Sequence, residues 1–248
     1  MPDVENMKTI LIMGASSGIG REVALQFIRR GYKVGVAARR ESALRGLNTH
    51  APQQVAYSPI DVTDDDASSK LLELVKELGG MDVFLLCAGI GKQNASLQMD
   101  IEMATAQTNV LGFIRMIDTA YGYFREKGEG HIAVISSIAG TKGLGAAPAY
   151  SATKSFQNIY IEALEQLAQM QRLKIHFTDI RPGFVDTDLL GDGKKYPLLM
   201  RPEKVAKQIV HIIERRESVH VIDWRYRIIV FFWRLVPRFI WKRLPIRN

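Results

Sequence analysis

Tyr150 and Lys154 stand four residues apart, and Ser137 precedes the tyrosine by thirteen. On a helix, a four-residue spacing puts both side chains on one face, so an ammonium can lie beside a phenol. A phenol titrating near roughly 10 is a poor acid or base at neutral pH. A neighbouring ammonium favours the phenolate and lowers that value. A serine hydroxyl at a strand end can hold and polarise a substrate oxygen. Together the three suit proton transfer at a substrate oxygen. A Tyr/Lys pair in an arbitrary helix is more often structural, so the reading needs a cofactor site beside it.

Gly14, Gly18 and Gly20 offer one, with Ser16, Ser17 and Ile19 completing the turn. Their GxxxGxG spacing differs from the GxGxxG dinucleotide fingerprint, but the physical reason for glycine is the same. The backbone can approach a pyrophosphate closely, and free amides at a helix start can bind it. The Lys-Ser/Thr pair of a nucleotide-triphosphate loop is absent. At the end of the second predicted strand stands Ala38-Arg39-Arg40, where an acid would bind both ribose hydroxyls of NAD. Arginine instead matches a 2′-phosphate. NADP(H) is therefore favoured over NAD(H), with Arg39 as the contact and Arg40 as a solvated surface residue.

Strands that carry these residues are expected at Lys8 to Met13, Lys33 to Ala38, Gln54 to Ser58, Met81 to Ala88, His131 to Ser136, Ile175 to Ile180 and Ser218 to Ile222. Helices are expected at Ile19 to Arg29, Asp65 to Leu78, Ala149 to Gln169 and Pro202 to Arg215. Ile101 to Lys127 reads as one extended helix. Such alternation indicates right-handed βαβ units and a parallel sheet. The expected fold is a three-layer αβα sandwich on a Rossmann-type, doubly wound parallel seven-stranded sheet. One catalytic domain spans 1–222, followed by an extension over 223–248.

Hydrophobic residues make up 47% of the 248, ample for such a core. Of the net charge of +7, residues 223–248 carry +6, leaving +1 for the rest. A nearly neutral body argues against nucleic acid as the partner. The lone Cys87 fits a reducing compartment and a small buried residue. The five histidines show no ligand spacing, so no metal is expected. Met1 to Asn6 is polar, and the apolar run after it leads into a glycine turn rather than a cleavage site. The expected location is cytoplasmic, not secreted.

The ordered motifs resemble the short-chain dehydrogenase/reductase family from about Thr9 to Ile222. Gly14, Gly18 and Gly20 match its cofactor loop, Asp61-Val62 its adenine-contacting turn, and Ala88-Gly89 the end of its fourth-strand motif. Asn109, Ser137, Tyr150 and Lys154 match its catalytic tetrad. Pro182-Gly183, with Val185 and Thr187, matches the loop at the nicotinamide end. The resemblance implies that Tyr150 exchanges a proton with the substrate oxygen and that Ser137 holds that oxygen. Lys154 would bind the nicotinamide ribose, and Asn109 would support a water in a proton relay. It also implies a homodimer or homotetramer formed through the two long helices. Met13 and the Leu86-Cys87 pair depart from the family pattern, which has threonine and an Asn-Asn pair at these positions.

Between Thr187 and Arg201, residues Leu189, Leu190, Tyr196, Leu198, Leu199 and Met200 would give a substrate-covering segment an apolar face. That suits a hydrophobic carbonyl or alcohol; a helix-packing surface is the plain alternative. Beyond residue 222, Arg227, Arg234, Arg238 and Lys242 form a cationic stripe, with Ile228, Phe231, Phe232, Leu235, Phe239 and Ile240 beside them. Trp224, Trp233 and Trp241 suit an interface, and Pro237 should kink or divide the helix. The extension resembles a peripheral anchor on an anionic membrane surface; an oligomer arm or a cover over the active site remain alternatives. Reduction of a lipid-like ketone is the reading that joins these features. Broad reduction of small carbonyls and a noncatalytic cofactor-binding scaffold are the alternatives.

Overall fold

The computed structural model describes residues 7–190 and 196–246. The sequence readings at Met1 to Asn6, at 191–195 within the expected cover, and at Arg247 lie outside the described residues.

Strands β1 (Thr9–Met13), β2 (Lys33–Ala38), β3 (Val55–Pro59), β4 (Val83–Leu86), β5 (Glu129–Ile135), β6 (Lys174–Arg181) and β7 (Val219–Val221) form one sheet. All pairings are parallel, in the order β3-β2-β1-β4-β5-β6-β7. The chain works outward from β1 to β3 and then returns to place β4 on the other side of β1. Where the winding reverses, a crevice opens beyond the carboxyl ends of β1 and β4.

Alternation along the strands builds two cores. In β1, Ile10 and Ile12 face a core shared with α1 (Gly18–Arg29), α2 (Glu41–His50) and α7 (Pro202–Glu214). Leu11 and Met13 face the opposite core, shared with α3 (Ala67–Leu78), α5 (Phe113–Lys127) and α6 (Pro148–Met170). Both faces of a parallel sheet must be covered, which is why β1 is buried along its whole length.

Two segments differ from the sequence expectation. Helix α2 was not foreseen; only Leu44 and Leu47 of its ten residues are buried, so its apolar pattern is thin. The single helix expected over Ile101 to Lys127 is instead α4 (Met99–Ala106), a π-helical turn (Gln107–Gly112) and α5. At Gly112 the backbone lies so close to Val62 that an added Cβ would come within 2.6 Å of its Cγ2.

Past β7 the chain forms α8 (Trp224–Leu235) and a short α9 (Arg238–Trp241), divided at Pro237. Tyr226 and Val230 are buried in the same core as α1 and α7. The extension is thus packed against the body through one side of α8.

Candidate active site

The glycine turn leaves β1 and enters α1. Gly14 has φ of 99°, a region side chains disfavour, and an added Cβ would lie 2.5 Å from the Ala88 amide nitrogen. At Gly20 an added Cβ would lie 2.2 Å from the Gly14 carbonyl oxygen. These approaches keep the turn flat against β4 and leave the α1 N-terminus open. Ser17 is the N-cap but makes no side-chain cap bond, so its hydroxyl leaves the first amides of α1 to a ligand phosphate, while the Gly20 amide meets the Cys87 thiol. The cradle therefore fits a dinucleotide pyrophosphate.

Met13 and Cys87 also explain how the turn is tied without the family's polar residues. The Met13 carbonyl accepts from the Cys87 and Ala88 amides at 2.8 and 2.9 Å. Burial pushes the Cys87 thiol up to about 11, which makes it inert at neutral pH.

Both arginines are exposed, and they make different contacts. Arg39 is mostly exposed and lies 3.9 Å from Asp61, whose carboxylate also accepts from the Thr63 amide and hydroxyl. Arg40, exposed as expected, donates to Ser17 Oγ at 2.6 Å and Ser16 Oγ at 3.3 Å, with Asp188 at 3.7 Å. Sequence alone could not separate neighbours of identical type.

The catalytic candidates converge at the carboxyl end of β5. Ser137 follows the strand and its Oγ accepts from the Ala139 amide. Its neighbour Ser136 donates to the buried Asp179 carboxylate, which also holds Arg181, and so serves the fold. Tyr150 lies in the first turn of α6, with the Glu102 carboxylate accepting from the adjacent Ala149 amide at 3.1 Å. At Gly91 an added Cβ would press within 2.4 Å of the Tyr150 ring.

Burial raises the Tyr150 phenol above its ordinary range, and a hydrogen bond with Ser137 opposes that rise. The lowering that the sequence reading expected from Lys154 is not seen. Lys154 Nζ lies 5.9 Å from the tyrosine ring centroid, but it is tied to the Ile135 carbonyl at 3.0 Å and to Gln157 Oε1 at 2.9 Å. Burial in turn brings Lys154 down to about 8.

Asn109 sits in the π-helical turn. Its side chain clamps Ile90, accepting from that amide at 2.9 Å and donating to its carbonyl at 2.7 Å. Its own carbonyl accepts from Gln157 Nε2 at 2.9 Å. Gln157 thus bridges Lys154 and Asn109. Its signal in the sequence is a polar residue three positions beyond Lys154, hence on the same helix face.

The remaining expected residues close the crevice. The Pro182 carbonyl accepts from the Ile138 amide, and an added Cβ on Gly18 would lie 3.1 Å from Thr187 Cγ2. Val185 is buried and bridges Met200. Gly89 lies beside Asn109 and Lys154. In the expected cover, Leu189 and Leu199 are exposed, while Met200 is buried and Tyr196 packs on Phe184.

The glycine turn and the Ser137, Tyr150 and Lys154 cluster thus lie together beyond the carboxyl ends of interior strands of a Rossmann-type sheet. A profile of the short chain dehydrogenase family matches residues 8–196, and the chain belongs to that family. An uncharacterized oxidoreductase of Mycobacterium tuberculosis is 33% identical over 215 residues, covering 83% of this chain and 84% of that protein. Dehydrogenase/reductase SDR family member 7B of Danio rerio is 28% identical, covering 88% and 77%. The fold is shared with a 3-ketoacyl-(acyl-carrier-protein) reductase from Brucella melitensis complexed with NADH (TM-score 0.77, 23% identity, 87% and 96% covered).

Proposed function

We propose that the protein is an NADP(H)-dependent oxidoreductase that interconverts a ketone and a secondary alcohol on an apolar, lipid-like substrate. The observation that carries this reading is the convergence of Ser137, Tyr150 and Lys154 beside an open glycine turn overlaid by Arg40. The nicotinamide cofactor supplies or accepts the hydride at the substrate carbon.

The residues supply the rest. In reduction, Ser137 holds the substrate oxygen and the Tyr150 phenol gives it the proton. A phenol raised by burial stays protonated at neutral pH, so Tyr150 is set as a donor. Lys154 reaches the nicotinamide ribose, held in place by Ile135 and Gln157. The cradle of Gly14, Ser16, Ser17, Gly18, Ile19 and Gly20 takes the pyrophosphate; Asp61 and Val62 flank the adenine. Ala88, Gly89, Pro182, Gly183, Val185 and Thr187 line the nicotinamide side. Arg39 and Arg40 share the 2′-phosphate.

An apolar substrate fits the exposed Leu189 and Leu199 of the cover. No described helix is long and apolar enough to cross a membrane. The reading has a cytoplasmic enzyme, held peripherally at the membrane face through 223–248. It assembles as a homodimer or homotetramer through α5 and α6.

The test is oxidation of NADPH, with NADH in parallel, against long-chain ketones, steroid ketones and small carbonyls. Apolar ketones should turn over fastest. Arg39→Ala and Arg40→Ala should each weaken NADPH binding about tenfold while leaving NADH nearly unaffected. Equal use of both cofactors removes the NADP(H) preference; faster turnover of small carbonyls favours a broad carbonyl reductase.

A further inference from the structure

Helix α8 has two apolar faces. At about 100° per residue, Tyr226, Val230 and Trp233 fall within one narrow arc. Tyr226 and Val230 are 2% and 6% exposed, and Trp233 packs against the same core. Trp224, Ile228, Phe231 and Leu235 fall on the opposite side, with Phe232 beside them. Trp224, Phe231, Phe232 and Leu235 are between 62% and 67% exposed. Arg227 and Arg234 occupy one shoulder between the two faces. The outward face continues past Pro237 with exposed Phe239, Ile240 and Leu244. A surface helix normally turns its polar side outward; an apolar outward face marks an interaction surface.

The charges select the partner. No acidic residue occurs after Asp223, and Asp223 is occupied by Arg225. Among the described residues, Arg234, Arg238, Lys242 and Arg243 enter no ion pair. A twofold contact with a second copy would bring this patch against itself and set arginine against arginine. An anionic headgroup layer neutralises the same charges while the aromatics enter the acyl boundary.

The inward face of the extension joins the two loops that flank the Tyr150 crevice. Tyr226 Oη accepts from the Phe184 amide at 3.2 Å and donates to the Pro197 carbonyl at 2.8 Å. Trp233 and Trp241 each donate from Nε1 at 2.8 Å, to Thr141 Oγ1 and the Gly143 carbonyl. Lys142 Nζ returns a bond to the Val236 carbonyl. Thus Trp233 and Trp241, expected at the interface, fasten the extension to the body, and Trp224 is the tryptophan that faces outward.

We infer that α8 and α9 dock on an anionic bilayer through Trp224, Phe231, Phe232, Leu235 and Phe239. Through its inward bonds, the docked extension holds both crevice loops at the lipid surface. Docking itself stands on the two-faced helix; its use for delivering a membrane-dissolved ketone rests on the proposed function.

The test uses the full chain and vesicles of phosphatidylcholine alone or with phosphatidylglycerol. Cosedimentation and light scattering are read without substrate, and NADPH binding monitors the fold. The wild type should bind the phosphatidylglycerol vesicles and release in high salt. The Phe231→Glu/Phe232→Glu variant should bind about tenfold more weakly, as should Arg234→Glu/Arg238→Glu, with NADPH affinity unchanged. Equal vesicle binding by wild type and both variants overturns the inference. So does a wild-type oligomer that ignores vesicles and dissociates in the phenylalanine variant. Turnover of a water-soluble ketone separates the two claims: its failure defeats the catalytic reading, while loss of vesicle binding alone defeats docking.

Discussion

Gln157 carries the most specific consequence at the scale of single residues. Its Oε1 accepts from the Lys154 ammonium and its Nε2 donates to the Asn109 carbonyl, so it stabilises the charged lysine and fixes its direction. Gln157→Leu removes the acceptor, which should lower Lys154 below its present value of about 8. Gln157→Glu places a carboxylate there and should raise it. If charged Lys154 is required for turnover, the alkaline limb of kcat/KM should move to lower pH in the leucine variant and to higher pH in the glutamate variant. A purely packing role would reduce activity in both without opposite shifts. This contact is of a kind sequence hides: Tyr150 and Lys154 announce themselves by spacing, whereas Gln157 acts through an orientation that only the folded helix defines. Arg40 is hidden for a related reason. Two adjacent arginines are identical in type, and the backbone entering α2 decides which one turns over Ser16 and Ser17.

Among the elements, the strands and the glycine turn were legible because apolar runs and glycines map directly onto burial and turn geometry. The π-helical turn at Gln107–Gly112 was not, since its apolar pattern continues that of the flanking helices. Local sequence likewise did not show that α8 would bury Tyr226, because the aromatic residues outside and inside that helix look alike. Tyr226 now provides the check at this scale. An added Cβ on Gly183 would lie 2.3 Å from its ring, and its hydroxyl serves both Phe184 and Pro197. Tyr226→Phe keeps the ring and strands those backbone groups, which should cost about 1–3 kcal/mol in urea unfolding. The loosened loop after β6 should also raise the KM for NADPH. Unchanged stability and KM would show that α8 merely rests on that loop.

Across the whole molecule, the two apolar cores on one parallel sheet also enclose polar side chains, and His131 is one of them. Burial brings it down to about 3, with the His176 and Arg216 charges adding to the effect, while Nε2 pairs with Thr178. Its depressed folded value means that the unfolded chain binds the extra proton first. The resulting stability is present above the unfolded value of about 6.5 and is lost as pH falls towards 3. Between pH 6.5 and 5 the loss from this residue should be roughly 1.5 kcal/mol. His131→Gln keeps a hydrogen-bonding side chain without titrating there, so its stability should vary less over that interval; an identical pH dependence would exclude His131 as the source.

The measurement that bears most directly on the catalytic assignment is hydride transfer in a Tyr150→Phe variant. NADPH affinity would be determined in parallel, using the ketone that the wild type reduces fastest. Phenylalanine preserves the ring near Gly91 and Lys154 and removes only the proton donor. The expected result is a loss in kcat of at least about a hundredfold with NADPH affinity within a few-fold of wild type. Hydride transfer at the wild-type rate in the variant would contradict the account and remove Tyr150 from the chemistry.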